Sequence, residues 1–156
     1  LVGTWESVDL SVYMQSVIAK SGGDVKFIGQ TGRIVYAFGA DGKARVVAQD
    51  FTMKLAMAVQ MLTFDINVTI SGAANSQYTA TADKITYSNG EMKDLKVSAK
   101  MNGTELFSST PDELAAMFGA SADPRYNSVA YQCDGTTLVY TPPIADAQPV
   151  IMKRVQ

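Results

Sequence analysis

The sequence predicts an all-β fold, an antiparallel barrel of about 8–10 strands with two short helices at about 10–21 and 111–118. Three observations predict it. Apolar and polar residues alternate with period two through most of the chain. Asp41-Gly42, Asn89-Gly90 and Asp134-Gly135 supply turn signals at hairpin spacing. The stretches with helical period are too few for a βαβ rhythm. No internal repeat or low-complexity linker divides the 156 residues, which read as a single domain, 1–156.

Leu1 to Val8 reads as a strand with Gly3, Trp5 and Ser7 on one face and Val2, Thr4 and Glu6 on the other. Asp9 suits a helix cap, and Leu10, Tyr13, Met14, Val17 and Ile18 form one apolar stripe before Gly22-Gly23 stops the helix. That stripe needs a floor, and one end of the barrel supplies it. From Gly32 the period changes to two: Ile34, Tyr36 and Phe38 lead into the Asp41-Gly42 turn, and Ala44 to Ala48 returns.

Met53, Met57 and Met61 then lie four apart, as on a helix, and the surrounding Ala, Leu and Lys favour a helix by propensity. The full pattern favours a strand. Phe51, Met53, Leu55, Met57, Val59 and Met61 are all large and apolar, with small or polar residues between them. The phase slips by one before Phe64, Ile66, Val68 and Ile70, which marks a tight bend or a bulge. Ser71 to Ser76 reads as a loop, and Tyr78–Ala82, Lys84–Tyr87 and Leu95–Met101 as three short strands. Thr110-Pro111-Asp112-Glu113 is a capping box, so Leu114, Met117 and Phe118 become the buried face of a second helix that Gly119 ends. Val129–Cys133, Leu138–Thr141 and Val150–Val155 complete the strands.

Composition narrows the function. A net charge of −2 with scattered Lys and Arg argues against nucleic acid and against a polybasic membrane patch. No apolar run reaches the ~20 residues of a membrane-spanning helix. The chain contains no His, which removes Ser-His-Asp, Cys-His and most zinc chemistry, and no Gly-rich phosphate loop precedes a helix. No metal and no cofactor is expected. Cys133 stands alone beside Asp134, whose charge raises a thiol pKa, so it reads as a strand residue. Asp41, Asp112, Glu113 and Asp134 are accounted for by turns and a helix start, so the chain is not expected to be an enzyme. The few charges among abundant Ser, Thr, Ala, Gly and Asn suggest an exported, trimmed domain, extracellular or in the cell envelope.

Two ends of the chain carry a resemblance. Gly3-Thr4-Trp5-Glu6, then a helix containing Tyr13-Met14, together with Tyr131–Leu138 and Met152-Lys153-Arg154, resemble the calycins, in particular bacterial lipocalin-like domains. Arg154-Val155-Gln156 lacks the final Tyr of the Arg-x-Tyr pair with which fatty-acid-binding proteins hold a carboxylate. The resemblance implies a cup-shaped barrel in which Trp5 lies across the closed end and Arg154 packs over its indole.

The expected function is non-catalytic binding of a small hydrophobic ligand, lipid-like or another apolar metabolite, in the barrel lumen. Alternate residues of a small barrel point inward. Met53, Leu55, Met57, Val59 and Met61 then form an adaptable apolar wall, and Met152 adds to it. Tyr36, Tyr131 and Tyr140 offer orienting hydroxyls. The alternative is a filled barrel acting as a protein-interaction or self-association module, a homo-oligomer being one form of it. The side chains alone do not separate the two.

Overall fold

Asp41-Gly42 and Asp134-Gly135 do form turns, and the strands they join belong to one antiparallel sheet. The computed structural model describes residues 1–19, 24–109 and 127–155. Among these lie nine strands and one helix: β1 (Gly3–Asp9), α1 (Ser11–Ile18), β2 (Val25–Phe38), β3 (Lys43–Val59), β4 (Leu62–Ala80), β5 (Lys84–Met101), β6 (Thr104–Ser109), β7 (Ser128–Cys133), β8 (Thr137–Thr141) and β9 (Val150–Arg154). The spatial order is β4-β3-β2-β1-β9-β8-β7-β5-β6, and β4 also pairs with β5. Eight strands therefore close a ring, with β6 attached to β5 outside it. The helix expected at 111–118 falls outside the described residues.

Strand length divides the sheet into two parts. β2 to β5 run 14, 17, 19 and 18 residues, so β4 extends about 60 Å at ~3.3 Å per residue. β1, β7, β8 and β9 have 7, 6, 5 and 5 residues and can close only one half of that length. Closure on the far side is short, three pairs from Lys84↔Ala130 to Thr86↔Ser128. Beyond the ring, the other halves of β2 to β5 continue with β6 as an open extension.

A line of bulges crosses the sheet where ring and extension meet. The register shifts between Thr31 and Arg33 in β2, between Ala48 and Phe51 in β3, and between Ala73 and Asn75 in β4. The extra residues in β3 switch its inward side chains from Ala44 and Ala48 to Phe51 and Met53. Backbones approach so closely here that glycine is required: a Cβ on Gly72, at φ +100°, would lie 2.0 Å from the Asp94 carbonyl oxygen. Gly32, at φ +72°, faces the Asp50 carbonyl at 2.3 Å in the same way.

The ring encloses the core. Trp5, Phe38, Ile85, Leu138 and Met152 are buried inside it, and α1 covers the end facing the extension with Leu10, Tyr13 and Met14. α1 is shorter than expected. Asp9 Oδ1 accepts the Ser11 N–H at 2.8 Å, which places its bond one residue outside the capping geometry. Ser16 Oγ accepts the Gln148 N–H at 2.9 Å and ties the helix to the segment before β9.

Several sequence expectations change. Ser71–Ser76 is not a loop but the bulged middle of β4, paired with β3 from Gly72↔Ala48 to Ser76↔Ala44. Lys84–Tyr87 and Leu95–Met101 are the two ends of β5, because Asn89, at φ 50°, makes a bulge rather than a turn. β2 begins at Val25 rather than Gly32, and β6 was not anticipated. The phase slip after Met61 is the β3–β4 hairpin turn, with Val59 opposite Leu62.

Candidate functional site

The closed end of the ring is built around Trp5. Its indole Nε1 donates to the Leu1 carbonyl at 2.7 Å, and the Arg154 guanidinium lies 5.1 Å from the ring centroid. Arg154 also donates to the Val2 carbonyl. A Cβ at Gly3 would stand 2.7 Å from the Arg154 guanidinium, which explains why the Gly-x-Trp pattern needs its glycine. A cation over an indole contributes about 0.5–2 kcal/mol, depending on desolvation. Both residues thus tie the start of β1 to the end of β9.

Behind this end, core side chains pack inside the ring. Tyr36, Tyr87 and Tyr140 point inward, and Tyr36 and Tyr140 meet at 6.2 Å between centroids. Burial pushes the Tyr87 hydroxyl up to about 12, while a hydrogen bond from Tyr140 pulls the other way. Burial likewise raises Tyr36 and Tyr140, the latter also because its hydroxyl is engaged by Tyr87. Tyr131, opposite Tyr140, donates its hydroxyl to the Thr81 carbonyl at 2.8 Å. Met152 is wholly buried beside Leu138. These tyrosines pack partly buried against the ring's core, to which Met152 belongs.

The methionine stripe lies mostly elsewhere. Met53 packs against the core, but Leu55 and Met57 sit half-buried on the extension. Val59 is exposed near the hairpin turn, and Met61, in the turn itself, is fully exposed. The residues expected to line one lumen are thus spread from the filled ring to the far tip of the sheet.

What the extension assembles is a single apolar face. Register places Leu55 beside Ile66 and Ile66 beside Met101; Met53 beside Val68, Val68 beside Ala99, and Ala99 beside Phe107. Phe27 joins Leu55 on the other flank, and Met57 pairs with Phe64. Antiparallel partners share a face, so these side chains form one surface without a charged residue. Leu55, Met57, Phe64, Ile66, Val68, Met101 and Phe107 are each half-buried, neither core nor freely solvated. Lys26, Lys54, Asp65, Lys96 and Lys100 occupy the opposite, exposed face. Sequence reading found the β3 row and the Phe64–Ile70 row; the Met101 and Phe107 rows follow only from pairing.

Two concavities adjoin the sheet, the first sharing Phe27 with this face. An open groove of about 540 Å³ runs between α1 and the free edge of β2, lined by Asp9, Ser11, Gln15, Phe27 and Ile28 among others. A second, of about 500 Å³, adjoins the Asp41 turn. The carboxylates whose titration shifts are Asp9, Asp41 and Asp134. Hydrogen bonds from Ser11, Lys43, and Thr137 with Thr136, respectively, hold each below the usual range. They are charged turn residues. Among the described residues, no group of three or more His, Cys, Asp or Glu is placed to hold a metal, and no helix is long and apolar enough to cross a membrane.

No protein-family model and no curated protein matches this chain.

Proposed function

We propose that this chain is a calycin-like, non-catalytic binding protein for a small apolar, lipid-like ligand. The ligand lies against the inner face of the extension rather than inside the closed ring. The carrying observation is the row-by-row continuity of uncharged, half-buried side chains from Phe27 through Leu55 and Ile66 to Met101. The burial of Trp5, Ile85, Leu138 and Met152 inside the ring supports this placement. Burying apolar surface at about 25 cal/mol per Å² supplies the affinity, and Met57 with Met101 lets the face adapt to an irregular chain. No covalent step is involved, and an exported setting suits the reading.

A filled ring also suits a self-association module, in which a second copy covers the same face. Titration with a fluorescent fatty-acyl probe separates the two. Ligand binding gives saturation at one probe per chain by a monomer, weakened about tenfold by Ile66→Lys. A dimer that excludes the probe would establish the second reading instead.

A further inference from the structure

We infer that the β3–β4 hairpin tip is a docking element for the apolar interior of a lipid bilayer surface. Among the described residues, the tip projects past its neighbours. On one side the last tie among the described residues is the Ala58 N–H to the Asp24 carbonyl, 2.9 Å. On the other, Asp65 exchanges hydrogen bonds with Asn102, whose side-chain oxygen accepts the Asp65 N–H at 2.9 Å and whose N–H donates to the Asp65 carbonyl at 2.8 Å. Residues 59 to 64 stand beyond both.

Their side chains are wrong for a solvated turn. Val59, Met61 and Leu62 are 45%, 102% and 63% exposed. The run from Leu55 to Phe64 contains no charged residue. The turn backbone has φ 48° at Gln60 and 69° at Met61, a geometry for which Asn-Gly is the favoured pair. Gln-Met in its place exposes a large, flexible apolar side chain where a small polar one folds more easily.

The size of the patch selects the partner. Three side chains present a few hundred Å², well short of the roughly 800 Å² each partner contributes to a stable protein interface. An apolar tip this small can still enter the boundary between headgroups and acyl chains, about 5–10 Å deep. The tip is also continuous with the inner face, since Val59 pairs with Leu62 and Met57 with Phe64. Docking does not depend on the ligand reading: vesicles report it without a ligand, and the acyl probe reports ligand without vesicles.

The experiment is co-sedimentation with phosphatidylcholine vesicles. The wild-type chain should bind, equally at low and high salt, because no charge sits at the tip. The double substitution Gln60→Asn with Met61→Gly, which suits the turn and keeps the fold, should lower the partition about tenfold or more. Trp5 is the only tryptophan and is buried. In Met61→Trp the new emission should therefore shift to shorter wavelength on vesicle addition and be quenched by brominated lipid. Absence of vesicle binding would overturn the inference, as would binding that salt abolishes or that the double substitution leaves unchanged. So would a vesicle-independent dimer dissolved by that substitution, which would make the occupant a second copy.

Discussion

Gly72→Ala tests the bend that separates ring from extension. At φ +100° an L-residue is strained by about 1–2 kcal/mol. The new Cβ would stand 2.0 Å from the Asp94 carbonyl oxygen, 3.1 Å from its carbon and 3.3 Å from the Leu95 Cα. These are backbone atoms, so no side chain can swing away. β5 must retreat by about 1 Å, loosening one or two ladder bonds near Ala73↔Asp94 at about 1 kcal/mol each. The sum is about 2–4 kcal/mol, which for a chain of this size lowers Tm by about 10 °C. Gly90→Ala is the control in the neighbouring strand β5, because nothing lies within 4 Å of its Cβ position; its effect should stay within about 0.5 kcal/mol. Urea and thermal melts followed by far-ultraviolet circular dichroism measure both. Equal stability of the two variants would refute the close approach of β4 and β5 at the bend.

Three further outcomes are expected. Ile66→Lys should weaken acyl-probe binding about tenfold in fluorescence titration yet cost no more than about 1 kcal/mol in a urea melt, because a half-buried lysine stem can reach solvent. Arg154→Met should cost about 1–2 kcal/mol and raise acrylamide quenching of Trp5, since it removes both the stacked cation and the donor to Val2. Alkaline pH should unfold the chain cooperatively. Burial raises Tyr36, Tyr87 and Tyr140, so the folded state keeps protons that the unfolded state releases near pH 10. Their contribution is intact below pH 10 and is lost as pH climbs toward about 12, the Tyr87 value. Phenolate absorbance should therefore appear in part only with unfolding, and Tyr140→Phe should shift that transition to higher pH.

The legible parts of the fold are those where one local signal stood alone. Ile34–Phe38 alternates cleanly, Asp134 accepts the Thr136 and Thr137 N–H groups as a turn aspartate does, and Gly3 with Trp5 and Arg154 marks the seal. Elsewhere pairing overrode propensity. Gly72, Ala74 and Ser76 look like loop residues, yet they pair with Ala48, Val46 and Ala44 of β3. Asn89-Gly90 looks like a hairpin turn, but Asn89 Nδ2 donates to Gln77 Oε1 at 2.8 Å and holds a bulge within β5. The site was half legible for the same reason. Alternation shows which residues share a face, whereas strand length decides where the ring stops closing over it. Met53 thus packs against the core while Met57 and Met61 fall beyond it.

Native mass spectrometry of protein purified without detergent, followed by organic extraction, tests the binding function most directly. One discrete apolar adduct per chain, displaced by the acyl probe and absent from Ile66→Lys, is the expected result. A clean mass for the bare chain, together with no uptake of probe by the monomer, would contradict it.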